Sequence, residues 1–268
     1  MTSLSKGKVA LFDCDIVVYR VGFASEDVEE RIALSRAKEL IYDTVYYELE
    51  CDDYKLYITG SDNYRNAIAT TAPYKGNRKD MKKPLHYEAL RKFLMEMGAT
   101  LVQGMEADDA IAIEATQMGD KCVIVSIDKD LDQIPGLHYN FVKKLIYEVS
   151  EEEGLKNFYK QILTGDRVDN IMGIKGYGPV KASKLIDPCK DEQEMFDVCV
   201  KAYNDDGQNG VERVTENAHL LWLLRHPNQS YQVPSNSQDL PGALSTEQTS
   251  VNMDDATQAP KPSSSEKE

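Results

Sequence analysis

An α/β fold built on a parallel sheet, followed by a small all-helical module and a disordered tail, is the architecture this 268-residue sequence predicts. Three observations carry that reading. Short apolar runs alternate with helix-period segments. The alternation stops near residue 150, and only helical periodicity continues. After about residue 228 the chain is rich in Ser, Gln, Pro, Thr and Asn and almost free of aromatics.

The strands come first. Lys8-Val-Ala-Leu-Phe-Asp13 is a short apolar run ending in an acid, the pattern of a buried parallel strand whose carboxyl tip faces a crevice. Tyr54-Lys-Leu-Tyr-Ile-Thr59, Ala99-Thr-Leu-Val-Gln103 and Lys121-Cys-Val-Ile-Val-Ser-Ile127 repeat it. Helical periodicity fills the intervals at about 30–50, 85–97 and 108–118. In such sheets ligands bind beyond the carboxyl ends of the strands. A hairpin follows at 139–149, then helices at about 151–163, 180–186, 191–203 and 215–225. The domains expected are therefore 1–160, 161–227 and a tail at 228–268 that cannot bury enough apolar surface to offset its ordering entropy.

Composition excludes several classes. No apolar run approaches the length of a membrane span, and no signal-peptide core precedes the first strand, so a cytoplasmic protein with no membrane partner is expected. Cys14, Cys51, Cys122, Cys189 and Cys199 form no CxxC pair, and an odd number suits no disulfide framework. They are expected to be reduced packing residues. The formal charge of −14 argues against a polyanionic partner until its distribution is examined. Between Arg65 and Lys92 stand eight basic residues against only Asp80 and Glu88.

The acids cluster where chemistry would need them. Asp13 ends the first strand, and Asp128 and Asp130, two apart, leave the fourth on one side of an extended chain. Glu106 and Asp109, with Asp108 between them, open a helix. Asp166 and Asp169 share a face by their three-residue spacing. A lone acid pair at a helix start is usually a cap, and a strand-end aspartate is usually a turn residue. Four clusters at corresponding element ends are not accounted for in that way. Gathered carboxylates repel one another unless cations neutralise them, and hard oxygen ligands select Mg²⁺ or Mn²⁺. Two such ions about 3.5–4 Å apart can activate water and stabilise the leaving oxygen of a phosphodiester.

Five stretches in order, Leu11-Phe-Asp-Cys-Asp-Ile-Val-Val-Tyr-Arg20, Tyr74-Lys-Gly-Asn-Arg78, Glu106-Ala-Asp-Asp-Ala-Ile-Ala112, Ile127-Asp-Lys-Asp-Leu-Asp-Gln133 and Gly165-Asp-Arg-Val-Asp-Asn-Ile-Met-Gly-Ile-Lys-Gly-Tyr-Gly178, resemble the motifs of the 5′-nuclease, or flap endonuclease, superfamily. The similarity is greatest to phage 5′–3′ exonucleases and the nuclease domain of bacterial DNA polymerase I, and covers roughly residues 8 to 200. It implies a PIN-like nuclease domain with a helical arch and a helix–hairpin–helix module. By the resemblance Asp13, Glu106, Asp108, Asp109, Asp128, Asp130, Asp166 and Asp169 hold Mg²⁺ or Mn²⁺, directly or through water, and DNA is cut to a 5′-phosphate and a 3′-hydroxyl. One departure is that the second strand tip, Thr59-Gly-Ser61, lacks the acid many relatives carry. Asp62 does not fit the pattern in its place, and Asp15 has no counterpart in the motif.

The same resemblance puts Lys75 and Arg78 in the gateway for a single-stranded 5′ end, with Lys75 stabilising the transition state and Tyr74 stacking on a base. Arg65 lies in the same basic stretch and is read as a DNA contact. Gly173, Gly176, Gly178 and Lys181 are read as the duplex-binding hairpin and helix start, where free N–H groups favour phosphate oxygens. Hairpins of this kind also commonly hold K⁺. The partner expected is DNA with a duplex and a 5′ single-stranded end, with RNA–DNA hybrids and replication proteins left open. Two readings compete. Phe12-Asp-Cys-Asp15 and Gly165-Asp-Arg-Val-Asp169 also resemble boxes of aspartate-nucleophile phosphatases, and a non-catalytic DNA-binding protein would keep the scaffold without the chemistry.

Overall fold

The computed structural model describes residues 4–78 and 81–234. β1 (Val9–Asp13), β2 (Asp53–Thr59), β3 (Thr100–Val102), β4 (Cys122–Val125) and β5 (Gly136–Asn140) run parallel in the order β3-β2-β1-β4-β5. β6 (Leu145–Val149) closes the edge antiparallel to β5. Chain order therefore reverses between β1 and β4, which makes their carboxyl ends the switch point where a crevice opens.

The central strands are apolar because both faces are covered. Ala10, Phe12, Val123 and Val125 point into a core with α1 (Cys14–Phe23), α2 (Glu30–Tyr42) and, after the short α3 (Arg65–Ile68), α4 (Tyr87–Glu96). Leu11, Tyr57 and Ile124 point to the other side, against α5 (Ala107–Met118). α1 has no counterpart among the expected helices because Ile16-Val-Val18 reads equally well as strand. The Asp13 carboxylate decides the matter by accepting from Asp15 N at 3.1 Å and Ile16 N at 3.3 Å, which caps a helix there. All five cysteines are buried free thiols.

The expected helical arch takes another form. Among the described residues, the link from β2 to α4 holds only α3 and a 3₁₀ turn at Gly76–Arg78. Pro73, Gly76 and Pro84 interrupt helical continuation, and the segment's polar groups bond elsewhere: Lys75 N to Asp169 O at 2.9 Å, and Thr70 N and Thr71 N to Glu216 at 2.7 Å.

The second core belongs to α6 (Glu151–Thr164), α7 (Pro179–Ile186), α8 (Glu192–Asp205) and α9 (Gly210–Leu221). The boundary expected at 160 falls inside α6, whose Phe158, Tyr159, Ile162 and Leu163 all pack in this core. α9 begins earlier than the expected 215 because Asn209 caps it, accepting from Glu212 N, and it stops at Leu221. The run Leu220–Leu224 looked helical. Residues 222–225 instead leave the helix, with Trp222 extended, since Leu223 enters the core of the sheet domain. Residues 228–234 of the expected disordered tail are described, and they are not disordered throughout. Tyr231 is buried against Phe158 and Trp222 with its hydroxyl 2.7 Å from that of Tyr159, because one aromatic can bury enough area to fix a polar segment. The remainder of that tail, 235–268, lies outside the described residues. Among the described residues no helix is long and apolar enough to cross a membrane.

Residues 220–225 strap the helical module to the sheet domain. Gln133 donates to Leu221 O at 2.9 Å and receives Leu223 N at 3.5 Å. Arg65, 1% exposed, donates to Leu220 O and Trp222 O at 2.8 Å each and forms a two-pronged ion pair with the fully buried Asp109 at 2.5 and 2.8 Å. Replacing Arg65 with Met would leave Asp109 charged and unpaired, so Arg65→Met should lower stability by about 3–5 kcal/mol. Urea unfolding of the two proteins checks this, and a loss below about 1 kcal/mol, the worth of an exposed pair, would show that the strap is held by its apolar contacts alone.

Candidate active site

The acids from β1, β4, α5 and the hairpin after α6 converge at the switch point. Asp13 accepts from Ser126 Oγ at 3.0 Å while capping α1. Burial, with the charges of Asp15 and Asp128 behind it, pushes Asp13 up to about 7. Asp108 is raised well above the usual carboxylate range by burial and then by Asp13, Asp128 and Glu106. Asp128 is raised by burial too, although the N–H of Asp130, 3.0 Å from its Oδ1, offsets part of this. Burial followed by Asp128, Asp166 and Asp169 pushes Asp130 up to about 8, against a 2.6 Å hydrogen bond from Gln161. Each cause except the hydrogen bonds and the charge of Lys75, which favours ionised Asp108 and Asp128, is a cost of holding negative charge, and the repulsion links both halves of the cluster.

Asp166 and Asp169 reach the cluster because the chain folds back after α6. Gly165–Asp166 pairs antiparallel with Ile171–Met172, and the two strands cross so closely that a Cβ on Gly173 would lie 2.2 Å from the Thr164 carbonyl carbon. Oxygens of Asp130, Asp166 and Asp169 come within 4.8 Å of one another, the one such convergence among the described residues. The donors are all hard, anionic oxygens with no Cys or His among them, and their mutual repulsion asks for a cation. They fit a divalent ion of the Mg²⁺ type.

Positive groups sit on the acids. Lys75 forms ion pairs with Glu106 and, at 3.5 Å, with Asp169, and Arg78 pairs with Asp169 while donating to Val168 O at 3.0 Å. Lys75 has φ +52°, a left-handed conformation uncommon outside glycine and often found at functional positions. The Tyr74 hydroxyl lies 2.8 Å from Asp169 and 3.1 Å from Glu106, so its single proton serves one of them at a time.

Four expected roles need correction. Asp109 does not face the cluster: its oxygens accept two Arg65 bonds plus Glu106 N at 3.1 Å and Leu224 N at 3.2 Å, which leaves no lone pair for a metal. Arg65, its buried partner, is not available to DNA. Tyr74 is buried with its hydroxyl on two carboxylates, so its ring is not free to stack on a base. Gly173 is spent on the crossing with Thr164 and Gly165. Gly176, at φ +79°, and Gly178, extended at φ −103°, both open onto free space, and the exposed Lys181 holds its ammonium 3.4 Å from the centre of the Tyr177 ring.

Three residues at the site had no assigned role in the sequence. Asp15 accepts from Thr59 N at 3.0 Å and from Arg91 at 3.3 Å, which places a carboxylate beside the β2 tip that lacks its own acid. The alternation Asp13-Cys-Asp15 was the available signal. Ser126 and Gln161 hold Asp13 and Asp130, and nothing in their local sequence marks them.

The model of the 5′-3′ exonuclease N-terminal resolvase-like domain matches residues 8–162. DNA polymerase I of Rhizobium leguminosarum is 40% identical over 122 residues, covering 41% of this chain and 12% of that protein. The exodeoxyribonuclease of Enterobacteria phage T3 is 28% identical over 182 residues, covering 65% of this chain and 56% of that one. The chain thus spans from about an eighth to just over half of these relatives. The fold is shared with the T5 5′-exonuclease, solved with zinc ions bound, at TM-score 0.59 and 16% identity over 81% of this chain and 89% of that one. It is also shared with flap endonuclease-1 from Methanococcus jannaschii, at TM-score 0.54 and 16% identity over 86% and 84%. With the motif-bearing strands and most of the acidic cluster inside a match that takes in more than half its length, the chain belongs to the 5′-3′ exonuclease family.

Proposed function

We propose that this chain is a divalent-cation-dependent 5′ nuclease that hydrolyses DNA phosphodiesters. The observation that carries the reading is the convergence of Asp130, Asp166 and Asp169, joined electrostatically to Asp13, Asp108 and Asp128, beneath Lys75 and Arg78. In this reading Asp13, Glu106, Asp108, Asp128, Asp130, Asp166 and Asp169 hold two Mg²⁺ ions, for which Mn²⁺ can substitute. The bound ions would supply an activated water and draw charge from the scissile phosphate. An aspartate-nucleophile phosphatase would use Asp13, Asp15, Asp166 and Asp169 but has no use for Glu106, Asp108 and the glycine hairpin.

The chain's own residues do the rest. Were Glu106 and Asp169 taken up as metal ligands, Lys75 and Arg78, which now pair with them, would be free to meet phosphate oxygens and the charge that develops on them during the reaction. Tyr74 keeps Glu106 and Asp169 oriented. Residues 1–160 form the catalytic unit, though α6 already sides with the module that follows. Gly176, Gly178 and the start of α7, with Lys181 beside it, bind duplex phosphates, and a K⁺ ion in the hairpin fits the same role. The open space at Gly176 and Gly178 supports this. RNA–DNA hybrids as substrates and a place in replication rest on the resemblance alone.

End-labelled 5′-flap, nicked and blunt duplexes incubated with Mg²⁺ test the proposal. Fragments from the 5′ side are expected, none should form in EDTA, and full cleavage in EDTA would overturn the cation mechanism. For Lys75→Ala, single-turnover cleavage at saturating enzyme should fall by roughly a hundredfold or more, as for loss of one transition-state donor, with a much smaller change in DNA affinity. An unchanged rate with weakened binding would reduce Lys75 to a phosphate clamp.

The charge cluster also predicts a pH dependence. The folded chain binds protons at Asp13 and Asp130 more tightly than the unfolded chain does, so the contribution of these two groups to metal-free stability is fully present below the unfolded carboxylate range, at about pH 4, and is lost as pH rises through about 7 and 8. Asp130→Asn should therefore raise the melting temperature of the metal-free protein at pH 8.5, and should do so much less at pH 5. A variant less stable than wild type at pH 8.5 would contradict the repulsion account.

A further inference from the structure

The polar face of α9 holds both chain segments that meet over the acidic cluster. On one side Glu216, almost fully buried, accepts from Thr70 N and Thr71 N at 2.7 Å and from the Thr70 and Thr71 hydroxyls at 2.8 and 2.5 Å. Burial alone would raise its pKa, yet these bonds outweigh burial and hold it below the usual range. On the other side Arg213 and Asn217 each donate to Met172 O at 2.9 Å, three residues after Asp169. Arg213 closes the clasp by bonding both Glu216 and Thr71. Between the two anchors the segments bond directly: Asn170 to Pro73 O at 2.9 Å, Lys75 N to Asp169 O at 2.9 Å and Asn77 to Arg167 O at 2.7 Å.

We propose that Glu216 and Arg213 are positioning residues that set where Lys75 and Arg78 stand relative to Asp166 and Asp169. Residues 69–78 have one four-residue helix before them and no sheet partner, so their own secondary structure cannot fix them. Glu216 captures two consecutive backbone N–H groups there, a charge-assisted arrangement of the strong kind, four residues before Lys75. The same helix grips the chain one residue before the hairpin at 173–178, so α9 ties the proposed duplex-binding element to the basic loop. A misplacement of about 1 Å at such a loop can cost roughly a hundredfold in rate. The inference rests on the nuclease reading for its effect on rate, but not for the loop's anchoring.

The test uses the full chain, Lys75→Ala and four further variants: Glu216→Gln, the milder Thr71→Val at an exposed position, and each of these combined with Lys75→Ala. Hydrogen exchange should show faster exchange at amides 70–78 in Glu216→Gln while α5 and β4 are unchanged, and Mn²⁺ affinity should stay within about twofold, since no ligand is touched. Single-turnover cleavage of a 5′-flap duplex should fall roughly ten- to a hundredfold, with little change in KM and no further loss when Lys75 is already Ala. Thr71→Val should show the same pattern more weakly. Unchanged exchange at 70–78, or losses that add in full to that of Lys75→Ala, would overturn the positioning role. A wild-type chain that cuts no substrate would overturn the nuclease reading and this role with it, whereas a cutting wild type with additive losses would overturn this role alone.

Discussion

The burial of mutually repelling carboxylates at the carboxyl ends of β1 and β4 is the constraint the rest of the molecule answers to. Burial and neighbouring charge push Asp13 and Asp130 into or above the neutral range, so the folded chain meets a penalty at the place where its fold opens a crevice. Three devices offset that penalty without cations. Backbone and side-chain donors from Ile16, Ser126 and Gln161 favour individual carboxylates. Lys75 and Arg78 lie on Glu106 and Asp169. The Tyr74 hydroxyl shares its proton between the last two. The positive groups that neutralise the acids are thus the groups proposed to meet the substrate, so on that reading Lys75 and Arg78 would be freed from their carboxylates when the site is filled.

The helical module is fastened to this cluster at several depths. Gly154 lets α6 approach so closely that a Cβ there would stand 2.5 Å from Gln133 O, and this brings Gln161 to Asp130. The strap at 220–225 runs back over Arg65, Asp109 and Gln133. Asp109 shows how close function and fastening lie: Asp108 faces the repelling acids, and the next residue is committed to a buried ion pair. Buried ion pairs add little net stability but fix geometry, since either partner alone is costly. Here the pair fixes the start of α5, and with it Glu106 and Asp108.

Much of this was legible in the residues and the rest was hidden for definable reasons. The parallel strands announced themselves through runs such as Val9-Ala-Leu-Phe12 and Cys122–Val125, which are apolar throughout because both faces are buried. Asp13, Asp128, Asp130, Asp166 and Asp169 stood out because they sit at element ends, where the backbone pattern stops. Asp109 could not be told from Asp108 by pattern, because its partner Arg65 lies 44 residues away in a stretch that reads as a solvated basic patch. Tyr74 was misread for the same reason, since its burial depends on Asp169 from another module. α1 and the end of α9 were lost to composition: β-branched residues obscured a helix that a cap imposes, and Leu220-Leu-Trp-Leu-Leu224 obscured the point where tertiary hydrogen bonds draw the chain out of one.

The central claim is that the acidic cluster is a cation site that gives up protons when it fills. Titration of Mg²⁺ into metal-free protein by calorimetry near pH 7.5, repeated in two buffers of different ionisation enthalpy, tests it most directly. The account predicts saturable binding with net proton release into the buffer, because Asp13 and Asp130 are partly protonated there before the ion arrives. Absence of saturable binding, or binding with no difference between the buffers, would contradict it.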